Sequence, residues 1–295
     1  MGIANDMQRF CTNICVSVEK INTISYRRGR ICTQLNTDFW GFTYSDIYTH
    51  SFYGGSYGRG TAIDSTSDVD LLFIMPTSVY DRYNSYTGNK QSSFLQAVRS
   101  SIMKTYPSTD IGADGQVIVV TFGDGIKFEV VPVFELNDGT YRFADTNDGG
   151  KWKTTNPKPE IKAIADLDKT CNGNLKNLCR MARARKNKWS VEIGGLLIDT
   201  LAHNFLCDYG YRDKTYVYYD WISRDFFKYL SEQKKDQWYW LAPGSNQFVW
   251  RSGAFVDKAS SCHTLAVEAI EKEKSPSVAR ESWRKIYGTV YPNAD

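Results

Sequence analysis

The chain has 295 residues, enough for one large domain or two packed lobes, and its 42% hydrophobic and 23% charged residues are typical of a globular protein. A net charge of only +3 argues against a protein that coats nucleic acid, and no apolar run approaches the ~18–20 residues that cross a bilayer. The first residues lack a basic segment followed by an apolar one. We therefore expect no secretory signal, a cytoplasmic protein and no membrane partner.

The first half of the chain mixes helical and strand patterns. A roughly periodic apolar stripe predicts a helix over residues 5–30. For residues 38–50 we expect a second short helix or a connection. A glycine-rich turn then precedes a strand over 68–75, which Pro76 ends because proline cannot donate to a strand ladder. A further helix is predicted over 90–106.

The remaining elements divide into strands first and helices afterwards. Two apolar runs, 116–122 and 126–134, are predicted strands joined by the hairpin turn GDG. Residues 137–160 are polar and rich in Gly, Asp, Asn, Thr and Pro, which predicts a long loop and a lobe boundary. Beyond this segment, helices are predicted at 169–187, 194–207, 219–233, 255–273 and 277–286. The order of elements indicates a mixed α and β first half and a mainly helical second half.

The cysteines and histidines show no metal-binding spacing. The seven cysteines include no CxxC pair, and the three histidines stand alone in the sequence. A structural zinc site uses closely spaced pairs of such residues, so it is the weaker interpretation. We expect reduced and mostly buried thiols, as in other proteins of the cytoplasm.

Acidic residues in two apolar strands form the most informative pattern. Asp68 and Asp70 are separated by one residue in SDVDLLFI, so on a strand they project from one face, about 6–7 Å apart along the chain. Carboxylates that close repel each other, and a divalent cation such as Mg²⁺ or Mn²⁺ would remove that penalty. Glu129, inside the apolar run IKFEVVPVF, is the candidate third ligand because a buried charge is costly without a partner.

Each of these acids also has an ordinary explanation. An isolated DxD at a strand end is more often a solvated edge or a turn, and an isolated glutamate in an apolar strand usually faces solvent. The loop upstream changes the balance. Gly54 and Gly55 allow the backbone to approach a ligand closely, and Ser56 adds a hydroxyl and an N–H, a combination that binds phosphates. The glycine order matches neither the dinucleotide-binding GxGxxG motif nor a P-loop.

Together, the loop and the acids resemble the signature of the polymerase-β-like nucleotidyltransferase superfamily. Gly55-Ser56 is followed by eleven residues and then by Asp68-Val69-Asp70-Leu71. Glu129 stands where the superfamily places its third carboxylate, on a later strand. The resemblance implies that loop and strand serve one site, which holds a nucleoside triphosphate and its metal ions.

A longer likeness covers nearly the whole chain. The segments GSYGRGTAI, SDVDLL, EVVPVF, LCRMARARKNKW, IGGLLIDTLAHNF, YWLAPGS and WRKIYG are similar to bacterial cGAS/DncV-like nucleotidyltransferases, and most of all to their clade E. The likeness implies an α+β fold. It has a polymerase-β-like catalytic core with a mixed sheet and an N-terminal helix at 1–160, and a mainly helical lobe at 161–295 that completes the nucleotide pocket.

The same likeness implies an activity and a biological setting. Such an enzyme joins two NTPs into a cyclic dinucleotide by two metal-dependent transfers that release pyrophosphate. The product is a second messenger of antiphage defence and acts through a downstream effector that it activates. The zinc-binding insert of the animal DNA sensor is absent, so we expect no requirement for long nucleic acid.

The resemblance also gives roles to individual residues. The three carboxylates would carry catalysis and hold two Mg²⁺ (or Mn²⁺) ions. Gly55 and Ser56 would hold the β- and γ-phosphates of the donor. Lys186 matches the triphosphate-binding lysine of the family. A serine that the family often has near the start of the next helix is replaced here by Gly194-Gly195, so backbone amides are the alternative at that point.

The choice of base is the least determined feature. Arg183 and Arg185 flank the region that reads a nucleobase in relatives, and an arginine fork matches O6 and N7 of guanine. This slightly favours a guanine-containing product such as cyclic di-GMP. A packing or surface role for either arginine is an equal alternative. Tyr218 or Tyr219, with Tyr219 preferred, would stack on a base. Stacking of this kind does not distinguish one base from another.

Two other functions stay open from the sequence. An enzyme of the same fold could transfer a nucleotide to a small molecule or a protein, although such enzymes often lack a C-terminal helical lobe. An inactive nucleotide-sensing or RNA-binding module would be expected to have lost a metal ligand. All three are present, and the chain has no long Lys/Arg tract.

Overall fold

The computed structural model describes residues 2–41, 46–66 and 68–293, so part of the predicted element at 38–50 lies outside the described residues. The chain divides into two compact units. The sheet unit consists of Ser17–Gly58 and Thr66–Pro157, and the helical unit consists of Met1–Val16, Arg59–Ser65 and Lys158–Asp295. The domain boundary predicted after residue 160 places the N-terminal helix and residues 59–65 in the catalytic core. The structure groups residues 1–16 and 59–65 with the helical unit instead.

The helices and strands are numbered in chain order. The helices are α1 (Ile3–Ile14), α2 (Val18–Leu35), α3 (Gly55–Arg59), α4 (Thr77–Asn84), α5 (Lys90–Thr105), α6 (Pro157–Thr170), α7 (Asn174–Lys188), α8 (Gly195–Cys207), α9 (Tyr219–Ser231), α10 (Val256–Glu271) and α11 (Pro276–Tyr287). The strands are β1 (Ser51–Tyr53), β2 (Asp68–Ile74), β3 (Asp110–Asp114), β4 (Val117–Thr121), β5 (Lys127–Glu135), β6 (Tyr141–Asp145), β7 (Lys151–Thr155), β8 (Tyr239–Leu241) and β9 (Phe248–Trp250).

The sheet unit is built around a mixed sheet. Among the described residues, seven strands form it in the order β1-β2-β5-β4-β3, with β6 also beside β5 and β7 beside β6. Strands β2 and β5 are parallel, and the other pairs are antiparallel. The α+β class with a mixed sheet, predicted from the sequence, is therefore confirmed.

Strand β2 separates a buried face from a polar face. Val69, Leu71 and Phe73 are fully buried in a core that also contains side chains of α2 and α5. Asp68 and Asp70 alternate with these residues and therefore project from the opposite face. A shift of one residue in register would bring both carboxylates into the core, so the burial of the apolar side chains fixes where the acids point.

Strand β5 contains a proline at the point where its neighbour changes. On one side it pairs with β2 over Lys127–Val133. On the other side it pairs with β4 as far as Val130 and with β6 from Val133 onward. Pro132 lies between these two antiparallel ladders, so neither of them requires the N–H that proline lacks.

The helical unit packs α1 and α7–α11 around a second core. Large aromatic side chains of α9 and α11 are buried there, including Phe226, Phe227, Trp283 and Tyr287. Helix α10 lies against both α9 and α11. Strands β8 and β9 form a separate two-stranded hairpin in this unit. The mainly helical second half agrees with the sequence-based expectation.

Two expectations about secondary structure are wrong. The predicted helix 5–30 is interrupted because Ser17 is extended and its hydroxyl accepts a hydrogen bond from the Lys20 N–H, which begins α2. The predicted loop 137–160 contains β6, β7 and the first residues of α6. Its polar residues form short turns instead: the Asp138 carboxylate accepts a hydrogen bond from the Thr140 N–H just before β6 begins.

Several short elements were not predicted at all, namely β1, α3, α4, β3 and the β8–β9 hairpin. Each helix or strand of this set has eight residues or fewer, which is too short for a periodic pattern to identify; the 14-residue helix α6 was also missed over residues 157–168. All seven cysteines are free thiols, and five of them are buried, as expected. None of the described helices is long and apolar enough to cross a membrane.

Candidate active site

The three predicted carboxylates lie on one face of two adjacent strands. The parallel register places Asp70 directly beside Glu129, and Asp68 beside Lys127. Since residues two apart on a strand share a face, Asp68, Asp70 and Glu129 project to the same side of the sheet. All three are at least partly accessible to solvent, so a ligand can reach them.

A lysine lies among these acids. The Nζ of Lys127 is 3.1 Å from Oδ1 of Asp68 and 2.8 Å from Oε1 of Glu129. The hydrogen bonds that Lys127 donates to Glu129 and then to Asp68 raise the pKa of Lys127. The sequence analysis did not single out Lys127, although its position two residues before Glu129 on the same strand places it on the same face.

Whether a divalent cation fits this face depends on how closely its carboxylates are grouped and on the charge beside them. Within the part of the chain that the structure describes, no three His, Cys, Asp or Glu side chains are grouped closely enough to hold a metal ion. However, the Lys127 ammonium is already held between two of the three carboxylates, so the face accommodates positive charge. Carboxylate oxygens are the ligands that Mg²⁺ and Mn²⁺ prefer. The donor set thus has the chemistry that such an ion prefers, but its side chains are not grouped closely enough in this structure to hold one, so the metal site stays a prediction.

The glycine-rich loop closes directly onto the carboxylate of Asp70. Gly54 donates its N–H to the carbonyl oxygen of Asp70 at 2.9 Å. Gly55 has a φ of +52°, and a Cβ at this residue would lie 1.8 Å from Oδ2 of Asp70. Only glycine fits this approach, for both conformational and steric reasons. The structure thus brings together Gly55, the first residue of α3, and the acidic face of β2 and β5.

Ser56, the second residue of α3, lies in the sheet unit next to Gly55, and the other predicted site residues belong to the helical unit. Lys186, in the last turn of α7, is half-buried. Burial, and then the charge of Arg183, lower the pKa of Lys186. No hydrogen bond or ion pair of its ammonium is found among the described residues.

Arg183 is held by a buried ion pair. Its Nη1 is 2.6 Å from Oδ1 of Asp199, and its Nη2 donates to Oδ2 at 2.8 Å and to the Gly195 carbonyl at 3.1 Å. Arg59 Nε donates to the same carboxylate at 2.8 Å. Burial alone would raise the pKa of Asp199, but the charges and hydrogen bonds of the two arginines outweigh it and lower the pKa to about 2.

Arg185 and Tyr219 are also enclosed by protein. Arg185 is only 2% exposed; its Nε donates to Sγ of Cys262, and its guanidinium lies 5.7 Å from the ring centre of Phe227. Tyr219 is 8% exposed, and its hydroxyl accepts a hydrogen bond from Asn177. The base-reading roles stay predictions, and the burial of both side chains favours the alternative packing role.

The comparison with known families decides the classification. Residues 1–168 match the model of the Second Messenger Oligonucleotide or Dinucleotide Synthetase domain. The chain belongs to this family. The match includes the glycine-rich loop and both strands that carry the carboxylates. The recognition of a bacterial cGAS/DncV-like nucleotidyltransferase is confirmed.

Two curated relatives have a similar sequence. A cyclic AMP-AMP-AMP synthase from Acinetobacter sp. (strain ATCC 27244 / 9458) is 22% identical over 279 residues, which cover 85% of this chain and 75% of the relative. A probable cyclic nucleotide synthase from Bacillus cereus (strain VD146) is also 22% identical over 279 residues, covering 81% of each. Both names describe synthases of cyclic nucleotides, in agreement with membership of the family.

Solved structures of other members share the fold. DncV of Vibrio cholerae, in a mutant form, has a TM-score of 0.74 at 13% identity and covers 96% of this chain and 93% of its own. CdnC of Escherichia coli MS115-1, solved with ATP, has a TM-score of 0.71 at 15% identity and covers 98% of both chains. CdnE of Elizabethkingia meningoseptica has a TM-score of 0.60 at 14% identity and covers 88% and 97%. The finer assignment to clade E stays a prediction.

Proposed function

We propose that this member of the family is a cyclic dinucleotide synthase, which joins two NTPs by two nucleotidyl transfers and releases pyrophosphate each time. One observation carries the proposal: Asp70 lies in register with Glu129, on the same face as Asp68, and the Gly55 backbone closes onto the Asp70 carboxylate. This arrangement combines an acidic face with a close-fitting loop, which are the two parts that nucleotidyl transfer requires.

The acidic face supplies the ligands for two Mg²⁺ or Mn²⁺ ions. Asp68, Asp70 and Glu129 would hold them, with Glu129 on the side of the attacking hydroxyl. Such ions would lower the pKa of the acceptor ribose hydroxyl and neutralise the leaving pyrophosphate. The Lys127 ammonium, which lies between Asp68 and Glu129, would have to leave this position for them to bind.

The remaining residues of the proposal position the substrate. Ser56 and the backbone of Gly55 hold the β- and γ-phosphates, and the half-buried ammonium of Lys186 contributes positive charge to triphosphate binding. The acceptor hydroxyl attacks the α-phosphorus in line with the leaving group, so catalysis consists mostly of orientation and charge stabilisation. The linear intermediate then turns round, and a second transfer closes the ring.

The identity of the bases is left to the product analysis. Arg183 and Arg185 are the residues that favour a guanine-containing product. Their guanidinium groups contact Asp199 and Cys262 in this structure. The family description covers oligonucleotides as well as dinucleotides, and one relative is named a cyclic AMP-AMP-AMP synthase. A ring of three nucleotides is therefore the alternative product to distinguish. In the proposed setting, the product is an antiphage second messenger that activates a downstream effector.

The deciding experiment is a product assay with the purified protein. The protein is incubated with all four NTPs and Mg²⁺ or Mn²⁺, treated with phosphatase, and the products are identified by mass spectrometry. We expect a phosphatase-resistant cyclic dinucleotide that disappears in the Asp68→Asn/Asp70→Asn variant. Asp110→Asn, at an exposed position of β3 in the same sheet, is the matched control and should retain full activity.

Other products would reject the proposal in distinct ways. A labelled protein or small molecule in place of a nucleotide ring would indicate a nucleotidyltransferase with another acceptor. Binding of NTPs without any turnover, even after addition of extract from infected cells, would indicate a nucleotide-sensing module.

A further inference from the structure

The β8–β9 hairpin of the helical unit is apolar on both faces. Trp240 and Val249 point inward and are buried in the core of the unit. The residues that alternate with them would normally be polar, because one face of such a hairpin meets water. Here they are the aromatic and aliphatic residues Tyr239, Leu241, Phe248 and Trp250.

These side chains and the neighbouring Trp238 form one aromatic patch. Trp238 is 73% exposed, Trp250 is 63% exposed and Phe248 is 57% exposed. The ring of Tyr239 lies 4.6 Å from that of Phe248 and 5.6 Å from that of Trp250, so the exposed rings are contiguous. A contiguous exposed apolar surface of this size is often an interaction site.

The charges around the aromatic patch argue against an anionic partner. The segment from Gln237 to Trp250 contains no Asp, Glu, Lys or Arg. Beside it, Lys235 is paired with Asp257, and Arg251 donates to the carbonyls of Gln237 and Lys234. Lys234 itself is an exposed lysine without an ion pair among the described residues, so the unpaired basic groups do not form a cluster. Nucleic acids and anionic lipids require clustered basic groups that are free to bind phosphate. An uncharged aromatic surface instead complements another surface of the same kind.

The exposed area is sufficient for a pair of identical chains. With 150–250 Å² for each large side chain, the exposed part of the aromatic patch amounts to roughly 550 Å² per copy. Two copies placed face to face would bury roughly 1,100 Å², just above the approximately 1,000 Å² that a specific interface needs. A two-fold axis makes one patch serve as both partners, which is the commonest arrangement of identical subunits.

We propose that the aromatic patch of the β8–β9 hairpin joins two copies of this chain in a symmetric dimer. The small area gives a reversible association, with a dissociation constant on the order of 10 μM. Trp and Tyr residues near the centre of the interface carry most of its stability. The inference concerns a surface that the proposed function does not use, so the two can be tested independently.

Sedimentation equilibrium of the full chain over a range of concentrations tests the dimer. Wild-type protein should be dimeric at high concentration and dissociate on dilution. The Phe248→Thr/Trp250→Thr variant keeps strand-forming residues and should raise the dissociation constant at least tenfold. Tyr26→Gln, which removes an exposed aromatic side chain of the sheet unit, is the matched control and should leave the dimer intact.

A second variant covers the case in which the hairpin fails to fold. Trp238→Lys lies outside the two strands and would place like charges opposite each other across the two-fold axis, so it should also dissociate the dimer. Wild-type protein that stays monomeric at all concentrations would overturn the proposal. Monomeric protein that co-sediments with vesicles of phosphatidylcholine and phosphatidylserine would overturn it in favour of a lipid surface. A dimer that persists in both variants would place the interface elsewhere.

Discussion

The carboxylate of Asp70 lies against the backbone of Gly55, so closely that a Cβ at residue 55 would fall 1.8 Å from Oδ2. The two residues come from different elements, the start of α3 and the middle of β2. Because of this contact, a change in the glycine-rich loop at Gly55 is expected to affect the acidic face as well. Any change that pushes the loop outward also displaces a carboxylate.

This contact makes Gly55→Ala a sharp test of the site. We expect at least a hundredfold loss of synthase activity with the fold retained, because the added methyl group must displace Asp70 or the loop. Gly88→Ala is the matched control. Gly88 also has a positive φ, but nothing lies within 4 Å of an added Cβ. Both variants should lose about 1 kcal/mol of stability through backbone strain, and equal loss of activity in both would refute a specific role for the loop.

Lys127 should compete with the metal ions for the acidic face. In Lys127→Met, the ammonium no longer bridges Asp68 and Glu129, so the concentration of Mg²⁺ that gives half-maximal activity should fall by about threefold or more. Without metal, the same variant should be less stable than wild type, because the carboxylates then repel each other. A metal titration of activity and a melting curve in chelator measure both effects. A metal requirement that stays unchanged would argue against competition.

The direction of the Lys127 pKa shift adds a condition to this test. Since the pKa of Lys127 is raised, its stabilising contribution is present below the ordinary lysine pKa and is lost only at higher pH. The ammonium therefore stays charged throughout the neutral range. The difference between wild type and Lys127→Met should not depend on pH there.

Lys186 should affect substrate binding more than turnover. In Lys186→Ala, we expect the KM for NTPs to rise by about tenfold, with a smaller change in kcat, since the proposed role of the ammonium is to contribute charge to triphosphate binding. Lys186→Arg should restore part of the affinity. Lys188→Ala, at an exposed position of the same helix, is the control and should leave KM unchanged. Equal effects at both positions would indicate only a general contribution of positive charge.

Asp220 should destabilise the folded chain at neutral pH. It is 7% exposed, and its burial raises its pKa to about 6. Between about pH 4 and pH 6 the unfolded chain releases the proton that the folded chain still holds, so stability falls as the pH rises through this window. Asp220→Asn removes the buried charge and should increase the free energy of unfolding by about 2 kcal/mol at neutral pH.

Urea unfolding at two pH values measures this effect. The gain from Asp220→Asn should be largest above about pH 6.5 and should shrink toward zero near pH 4. Asp236→Asn, in an exposed turn, is the control and should have little effect at either pH. A gain that is independent of pH would mean that the asparagine acts through packing and not through the charge.

The predictions from sequence succeeded where the pattern is local. The alternation around Asp68 and Asp70 predicted a strand with a polar face, and the apolar run around Glu129 predicted a later strand, whose pairing with β2 only the structure shows. The partners of Arg183 could not be predicted from a local sequence pattern. Asp199 lies on the next helix and Arg59 far upstream, so only the folded chain brings the three together. The buried arginine therefore resembled a ligand-binding residue in the sequence.

Turns and short strands explain the other failures. Residues 137–160 contain strands β6 and β7, but the Asp138 turn and the neighbouring glycines dominated the composition of the segment. The β8–β9 hairpin has three-residue strands, and its outer aromatic residues removed the polar alternation that would have identified it. In both cases the backbone pairing, rather than the side-chain pattern, decides the structure.

The change of partner at Pro132 has a consequence for the order of folding. Strand β5 belongs to two hairpins, closed by hydrogen bonds from Phe122 to Ile126 and from Leu136 to Thr140, and such local pairings form quickly. The parallel pairing of β2 with β5 joins distant parts of the chain and must close a long loop. We therefore expect the register that places Asp70 beside Glu129 to form late in folding. A nascent or proteolysed chain should be catalytically silent rather than partly active.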